Sequence, residues 1–261
     1  MAIYLDHAAT TPINEIALAE FNRHLQQIGN PSSLHTFGRE ARRILEQARE
    51  RLAAFVGCHP SEVIFTSSGT EADNLAIKGL YWRSGKRLIV TSAIEHHAVL
   101  EPVEAAGGVV VRTDASGAVD LECLEEALRG TADVTLVSVM TVNNEVGTIT
   151  DLSSVARIVR SVAPGAVLHT DAVQAARWLD LRTVTPLVDM LSLSAHKFGG
   201  PKGVGVLVAR KGARFEPLLR GGGQERERRS GTQNVAGIVA LSVALAATDL
   251  ERTSEVARLG E

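Results

Sequence analysis

The run Ser192-Leu193-Ser194-Ala195-His196-Lys197-Phe198-Gly199-Gly200-Pro201-Lys202-Gly203 decides how this chain is read. It ends an apolar stretch, Leu187 to Leu193, in a glycine-proline turn with one lysine at the hinge. Beyond the turn, Val204-Gly205-Val206-Leu207-Val208 reads as another buried strand. A lysine at the lip of a buried strand is held where burial disfavours its charged form and lowers its pKa. A lysine so placed becomes nucleophilic enough to capture an aldehyde. The plainer reading is an ammonium that reaches solvent on its aliphatic stem. The other strand ends decide between the two.

Working outward, apolar runs predict strands at Val63–Thr66, Arg87–Thr91, Val109–Val111, Val134–Val139, Val167–His169 and Asp189–Ser194. Helical spacing intervenes at Glu71–Trp82, His97–Ala105, Leu121–Leu128 and Ser153–Val162. Two helices precede this alternation, Asn14–Gln27 and a charged amphipathic one, Arg39–Phe55, ending near Gly57. Continuous apolar strands alternating with helices predict a three-layer α/β/α architecture with a mainly parallel sheet. Neither a repeat nor a low-complexity linker interrupts it, so one domain over 1–261 is expected, with 1–12 as an N-terminal segment.

Ligands of open α/β sheets bind at the carboxyl ends of the strands. After the first strand, Ser67-Ser68-Gly69-Thr70-Glu71 opens a helix, where free N–H groups and the helix dipole favour an anion; a plain N-cap is the alternative. No GK[ST] follows, so it is not a Walker loop. After the second strand comes Glu95-His96-His97, either a stacking or proton-shuttling imidazole or a surface pair. Asn143-Asn144-Glu145-Val146-Gly147 follows the fourth and otherwise reads as a turn. Thr170-Asp171-Ala172-Val173-Gln174 follows the fifth, and a carboxylate at the mouth of a buried strand needs a partner such as a protonated pyridine nitrogen. Arg228-Arg229-Ser230-Gly231-Thr232 is a basic, hydroxyl-bearing loop, alternatively a solvated charge cluster.

Bulk properties narrow the class. Hydrophobic residues make up 45% of the 261 and charged residues 22%, with a net charge of −3. No basic run points to nucleic acid or a membrane surface, and aromatics at 4% argue against base-stacking platforms. Cys58 and Cys123 are far apart and show no CxxC or zinc spacing. Met1–Thr11 lacks the pattern of a secretory signal, and the longest apolar run, Val235–Ala247, is too short to span a bilayer. A buried helix there and a cytoplasmic location are the expectations.

Taken together, YLDHAATTP (4–12), GNPSS (29–33), FTSSGTEADNLAIKG (65–79), EHHAVL (95–100), VNNEVGT (142–148), HTDAVQ (169–174), SAHKFGGPKGVG (194–205) and RSGTQN (229–234) resemble, in order, the cysteine desulfurases of the class V aminotransferase group. These are pyridoxal 5'-phosphate enzymes of fold type I. The resemblance covers the whole chain. It implies that Lys197 is the Schiff-base lysine and that Gly69, Thr70, Ser194 and His196 contact the phosphate. Thr232 would reach the phosphate of the neighbouring subunit in a homodimer. His96 would stack on the cofactor ring and assist proton transfer. Asp171 would pair with the pyridine nitrogen, Gln174 with the phenolic oxygen, and Asn144 would touch cofactor and substrate. No metal is implied.

The implied reaction converts L-cysteine to L-alanine, with sulfur passing to an enzyme cysteine as a persulfide for iron–sulfur cluster, thio-cofactor or tRNA synthesis. A sulfur-acceptor or scaffold protein would be the further partner. The family carries that cysteine in a C-terminal small domain, which these 261 residues are expected not to include; neither Cys58 nor Cys123 matches its position. The Val235–Ala247 helix is then expected to expose apolar surface where the small domain would pack. Two alternatives remain: another class V enzyme, a transaminase or lyase, or a truncated or split subunit acting in interactions.

Overall fold

The computed structural model describes residues 3–85, 87–131 and 133–260. Its helices are α1 (Glu15–Leu25), α2 (Thr36–Val56), α3 (Gly69–Arg83), α4 (His97–Ala105), α5 (Leu121–Arg129), α6 (Leu152–Val162), α7 (Leu181–Val184) and α8 (Val235–Gly260). The strands are β1 (Val63–Thr66), β2 (Leu88–Ser92), β3 (Val109–Val111), β4 (Val134–Ser138), β5 (Val167–Asp171), β6 (Met190–Ser194) and β7 (Gly205–Ala209). They form one sheet in the order β1-β7-β6-β5-β4-β2-β3. The pairs from β3 to β6 are parallel, and β7 runs antiparallel to both its neighbours.

Because side chains alternate along a strand, each strand feeds two cores. Val63, Phe65, Val90, Val137, Leu168, Leu191 and Val206 point to one face, covered by α2, α5, α6 and α8. Ile64, Ile89, Leu136, Met190 and Leu207 point to the other, covered by α3 and α4. Burial on both faces is why the strands read as continuous apolar runs rather than alternating ones. The expected three-layer α/β/α arrangement is therefore present. Local capping sets the helix ends: Asn14, Asp120 and Asp151 accept first-turn N–H groups of α1, α5 and α6. Gly57 ends α2 at φ 79°, a left-handed conformation that disfavours a side chain.

One expectation needs correction. The apolar part of the last helix is not an exposed face: Ala236 to Leu245 is largely buried, and α8 packs against α1 and α2 within this chain. The helix also runs on to Gly260, and its exposed apolar residues, Leu250, Val256 and Leu259, lie in that extension. The run from Val235 to Ala247 is apolar because the first two helices of the same chain cover it. Among the described residues, no helix is long and apolar enough to cross a membrane.

Candidate active site

The sheet face beneath α3 changes character along its strands. On β4 the α3-facing positions pass from Leu136 to Ser138, on β5 from Val167 to His169 to Asp171, and on β6 from Met190 to Ser192 to Ser194. The apolar ends fill the core; the polar ends meet at the carboxyl edge. There a cavity of about 560 Å³ opens, lined by Gly69, Thr70, His96, Asn144, Asp171, Gln174, Ser194, His196 and Lys197. Nine of the ten residues expected at the site thus share one wall. Thr232 is the exception; it sits exposed on the loop before α8 and does not line the cavity.

Each wall has a local cause. Ser68 caps α3 by accepting the N–H of Glu71 at 3.1 Å. Gly69 and Thr70 then carry first-turn N–H groups that no helix carbonyl accepts. A Cβ on Gly69 would lie 2.8 Å from Val173 Cγ2 and 3.2 Å from Ser194 Cβ, so only glycine lets the helix start this close to the ends of β5 and β6. His96 caps α4 and accepts the Ala98 N–H at Nδ1 (3.0 Å), which places the proton of the neutral ring on Nε2. His97 points outward, 3.7 Å from Glu101, so the histidine pair divides between site and surface. The two asparagines divide as well. Asn143 is buried and holds its own turn through Ile94, Glu145 and Val146, whereas Asn144 lines the cavity.

Lys197 closes a short 3₁₀ turn after β6 and donates to the carbonyls of Ala8 and, at 2.9 Å, Ala9. Partial burial pushes its ammonium below the ordinary lysine pKa, against the opposing charges of Asp171, Asp6 and Glu145. Asp171 is only 4% exposed; burial pushes its carboxyl above the ordinary range, with the Val173 N–H (2.8 Å) and the nearby Lys197 charge opposing it. The strand predicted to end at His169 continues to Asp171, which is why this carboxylate is fixed rather than free in a loop. Gln174 donates to the Ala8 carbonyl at 2.8 Å.

The N-terminal run belongs to the site. Thr11 donates to the His196 carbonyl through both its N–H and its hydroxyl (each 2.9 Å), and the Gly199 N–H donates to the same hydroxyl at 2.8 Å. His196 Nδ1 lies 3.1 Å from Thr10 Oγ1. Within the run itself, the Ala9 N–H donates to Asp6 Oδ1 at 3.2 Å. Nor is the 228–232 loop a freely solvated cluster. Arg229 pairs with Glu71 at 2.7 Å, and Arg228 donates to the Ser61 carbonyl at 2.7 Å.

Sequence reasoning missed Asp6, Asp73, Met140, Glu145 and Val173 on the cavity wall. Glu145 and Val173 adjoin residues already singled out. Asp73 was findable as an acidic residue on an otherwise buried turn of α3; its neighbours Ala72, Leu75 and Ala76 are all core. Neither cysteine lines the cavity. Burial, with Glu62 adding repulsion, pushes the Cys58 thiol up to about 12.

The aminotransferase class-V family pattern matches residues 3–258. The chain is 46% identical over 269 aligned positions to an IscS-like cysteine desulfurase of Mycobacterium tuberculosis, covering 98% of this chain and 68% of that protein. It is 44% identical over 268 to the cysteine desulfurase IscS of Dictyoglomus turgidum, covering 99% and 67%. The solved structure of a NifS-like protein superposes with a TM-score of 0.91 at 42% identity, over 97% of this chain and 71% of that one. A structure described as SspA in complex with cysteine gives 0.87 at 36%, over 94% and 72%. The chain spans about two thirds of the length of these two curated relatives. It belongs to the class V aminotransferase family, on its cysteine desulfurase branch.

Proposed function

We propose that residues 1–261 form the large, pyridoxal-phosphate-binding domain of a cysteine desulfurase acting on L-cysteine. The observation that carries this is the convergence of Lys197, Asp171 and the N-terminus of α3 on a single cavity. The residues present fit the cofactor. The volume suits a ligand of that size, the Gly69 cradle admits an anion against free N–H groups, and a buried carboxylate waits opposite a lysine of lowered pKa. The names of the relatives, and the bound cysteine in one neighbour's description, support the substrate.

Pyridoxal phosphate, when bound, supplies an aldehyde that anchors an amino acid and a ring that accepts electrons from its Cα. The chain's own residues do the rest. Gly69 and Thr70 N–H groups, with Ser194 and His196, would hold the phosphate and so fix the register of the aldehyde carbon against Lys197. Asp171 would keep the proton on the ring nitrogen. His96, with Nε2–H free to face the cavity, would lie against the ring and move protons there. Lys197, released from the Ala8 and Ala9 carbonyls, would take the proton at Cα as a general base suited by its lowered pKa. Asn144 and Gln174 would position the substrate side and the phenolic oxygen.

Sulfur abstraction also needs a thiolate able to reach the substrate Sγ. Cys58 and Cys123 stand away from the cavity, so we assign that thiol to a part of the enzyme outside these 261 residues, as in the family's small domain. Thr232, exposed and off the cavity, fits a contact to the phosphate of a second copy in a homodimer. A cytoplasmic role delivering sulfur to an acceptor or scaffold protein, for iron–sulfur cluster, thio-cofactor or tRNA synthesis, follows from the same reading. The distance of both cysteines from the cavity is also what keeps a second reading open: another class V enzyme, a transaminase or lyase, or an interaction subunit.

The test is to load the chain with pyridoxal phosphate, reduce with borohydride and map the label, then to supply L-cysteine with a reductant and measure alanine and sulfide. Label at Lys197 without sustained turnover is expected. Label at Lys202 or Lys211 would overturn the assignment of the site. Matched alanine and sulfide that vanish in a Cys58→Ser or Cys123→Ser variant would overturn the assignment of the thiol.

A further inference from the structure

Asp73 is a buried acid that the reaction as described does not use. It lies on the cavity-facing side of α3, is 0% exposed, and neither carboxyl oxygen has a hydrogen-bond partner among the described residues. An isolated carboxylate in such a place is very costly, whereas a carboxylic acid is tolerated. The nearest ring is His169, with Nε2 3.7 Å from Asp73 Oδ1. That imidazole supplies no charge. Its nitrogens lie 2.8 Å from Ser138 Oγ and 3.0 Å from Ser192 Oγ, and burial drives its pKa down to about 3.

His169 and Asp171 are two residues apart on β5 and so face α3 together, with Ser192 in register beside Asp171. Asp73 therefore faces Asp171 across the helix–sheet interface, and Glu95, from the loop before α4, is the third acid of the group. The three are not equivalent. Asp171 has the Val173 N–H and the nearby charge of Lys197. Glu95 receives the Ser92 hydroxyl (2.9 Å) and the Met140 N–H (2.6 Å) on Oε1 alone. Asp73 has no donor within hydrogen-bond reach, and the two other acids act on it with like charge. Like charges packed this closely cannot all ionise, and the proton goes to the member with the fewest donors.

We propose that Asp73 is a neutral carboxylic acid in the working protein, and that as a positioning residue it keeps the negative charge of this cluster on Asp171. Its position agrees with the direction in which burial and both neighbouring acids drive its pKa, well above the ordinary range. The role rests on reading Asp171 as the partner of the cofactor's ring nitrogen; the protonation of Asp73 does not. Because it takes up the proton itself, Asp73 sets no like charge beside Asp171, which stays the ionised acid of the cluster. The ring-nitrogen proton then stays on the ring.

Two measurements test this on the full chain. The first is the infrared difference spectrum, wild type minus Asp73→Asn, of cofactor-free protein at pH 7. A protonated-carboxyl C=O band present in the wild type and missing from the variant is expected, with Glu95 cancelling. Loss of ionised carboxylate bands instead would overturn the proposal. The second is the pH titration of the visible band of bound pyridoxal phosphate. Asp73→Asn, neutral as the wild-type acid is, should keep the wild-type midpoint. Asp73→Ala, also neutral, should keep it as well. A midpoint lowered by about a unit in both variants, the signature of a lost negative charge, would refute neutrality and the positioning role with it. Asp171→Asn is the control: an unmoved midpoint there overturns the reading of Asp171 and the positioning role with it, while the infrared result still decides the protonation of Asp73.

Discussion

Replacing Arg49 with methionine should cost far more stability than replacing Arg49 and Glu225 together. Arg49 is 2% exposed, stacks over Phe65 at 4.6 Å and makes a two-pronged pair with Glu225, 2.8 and 2.9 Å. Glu225 also accepts the Phe65 N–H at 3.0 Å and the Gln233 amide at 3.2 Å, tying the segment before the 228–232 loop to β1. Glu225, Arg226 and Glu227 have φ values of 46°, 57° and 64°. Three successive non-glycine residues in the left-handed region cost on the order of 1–3 kcal/mol each, so the turn keeps its shape only while outside contacts hold it. Arg49→Met leaves Glu225 buried without its cation, a loss of about 3–5 kcal/mol. For a chain of this length that is a fall in Tm of roughly 6–20 °C.

Adding Glu225→Gln removes the stranded charge and keeps one acceptor oxygen for the Phe65 N–H, at the expense of the bond from Gln233, so the double variant should recover part of the loss. Thermal and urea unfolding followed by circular dichroism measure both. The acid side gives an independent check. Burial pushes the Glu225 carboxyl up, but the Arg49 bonds more than offset this and the net pKa is lowered. A lowered folded-state value contributes stability above the unfolded value and loses it as pH falls through the folded one. The gap between wild type and the Glu225→Gln single variant should therefore narrow on acidification below the ordinary carboxyl range. An Arg49→Met variant within 1 kcal/mol of wild type, or a double variant less stable than that single one, would refute the reasoning.

Gly69→Ala should keep the fold but weaken pyridoxal phosphate binding by an order of magnitude or more, since its Cβ would meet Val173 and Ser194 at 2.8 and 3.2 Å; titration of the visible band measures it. Cys58, with its thiol pushed from 9.0 to about 12, should react with iodoacetamide at pH 8 about a thousandfold more slowly than in the unfolded chain, as read by peptide mapping. Glu95 is buried with its pKa raised to about 8. A raised folded-state value means that wild-type stability falls as pH rises from the unfolded value toward 8, so Glu95→Gln should gain on wild type across that window and level off above it. The gain, on the order of a few kcal/mol, would show in unfolding curves at stepped pH, and a flat difference would exclude the assignment.

What was legible in the residues was whatever repeats along a strand or helix or stands next to such a run. Seven apolar runs became seven strands, and residues following five of them, β1, β2, β4, β5 and β6, became the cavity wall, because strands that point the same way bring their carboxyl ends to one edge whatever their order. Lys197, Asp171 and the Ser68–Thr70 helix start belong to this class. Other features depended on which segments pack together. Ser138, His169 and Ser192 read as interruptions of apolar runs, and only the register of β4, β5 and β6 shows them as the polar end of one face. The apolar start of α8 gave no sign of whether another domain or this chain covers it; α1 and α2 do. Arg49 and Glu225, 176 residues apart, carry no local signal, and neither does the lack of partners around Asp73. Period and adjacency are properties of the chain and can be read from it. The charge state of a buried group depends on what lies within a few ångströms in space, and only tertiary packing decides that.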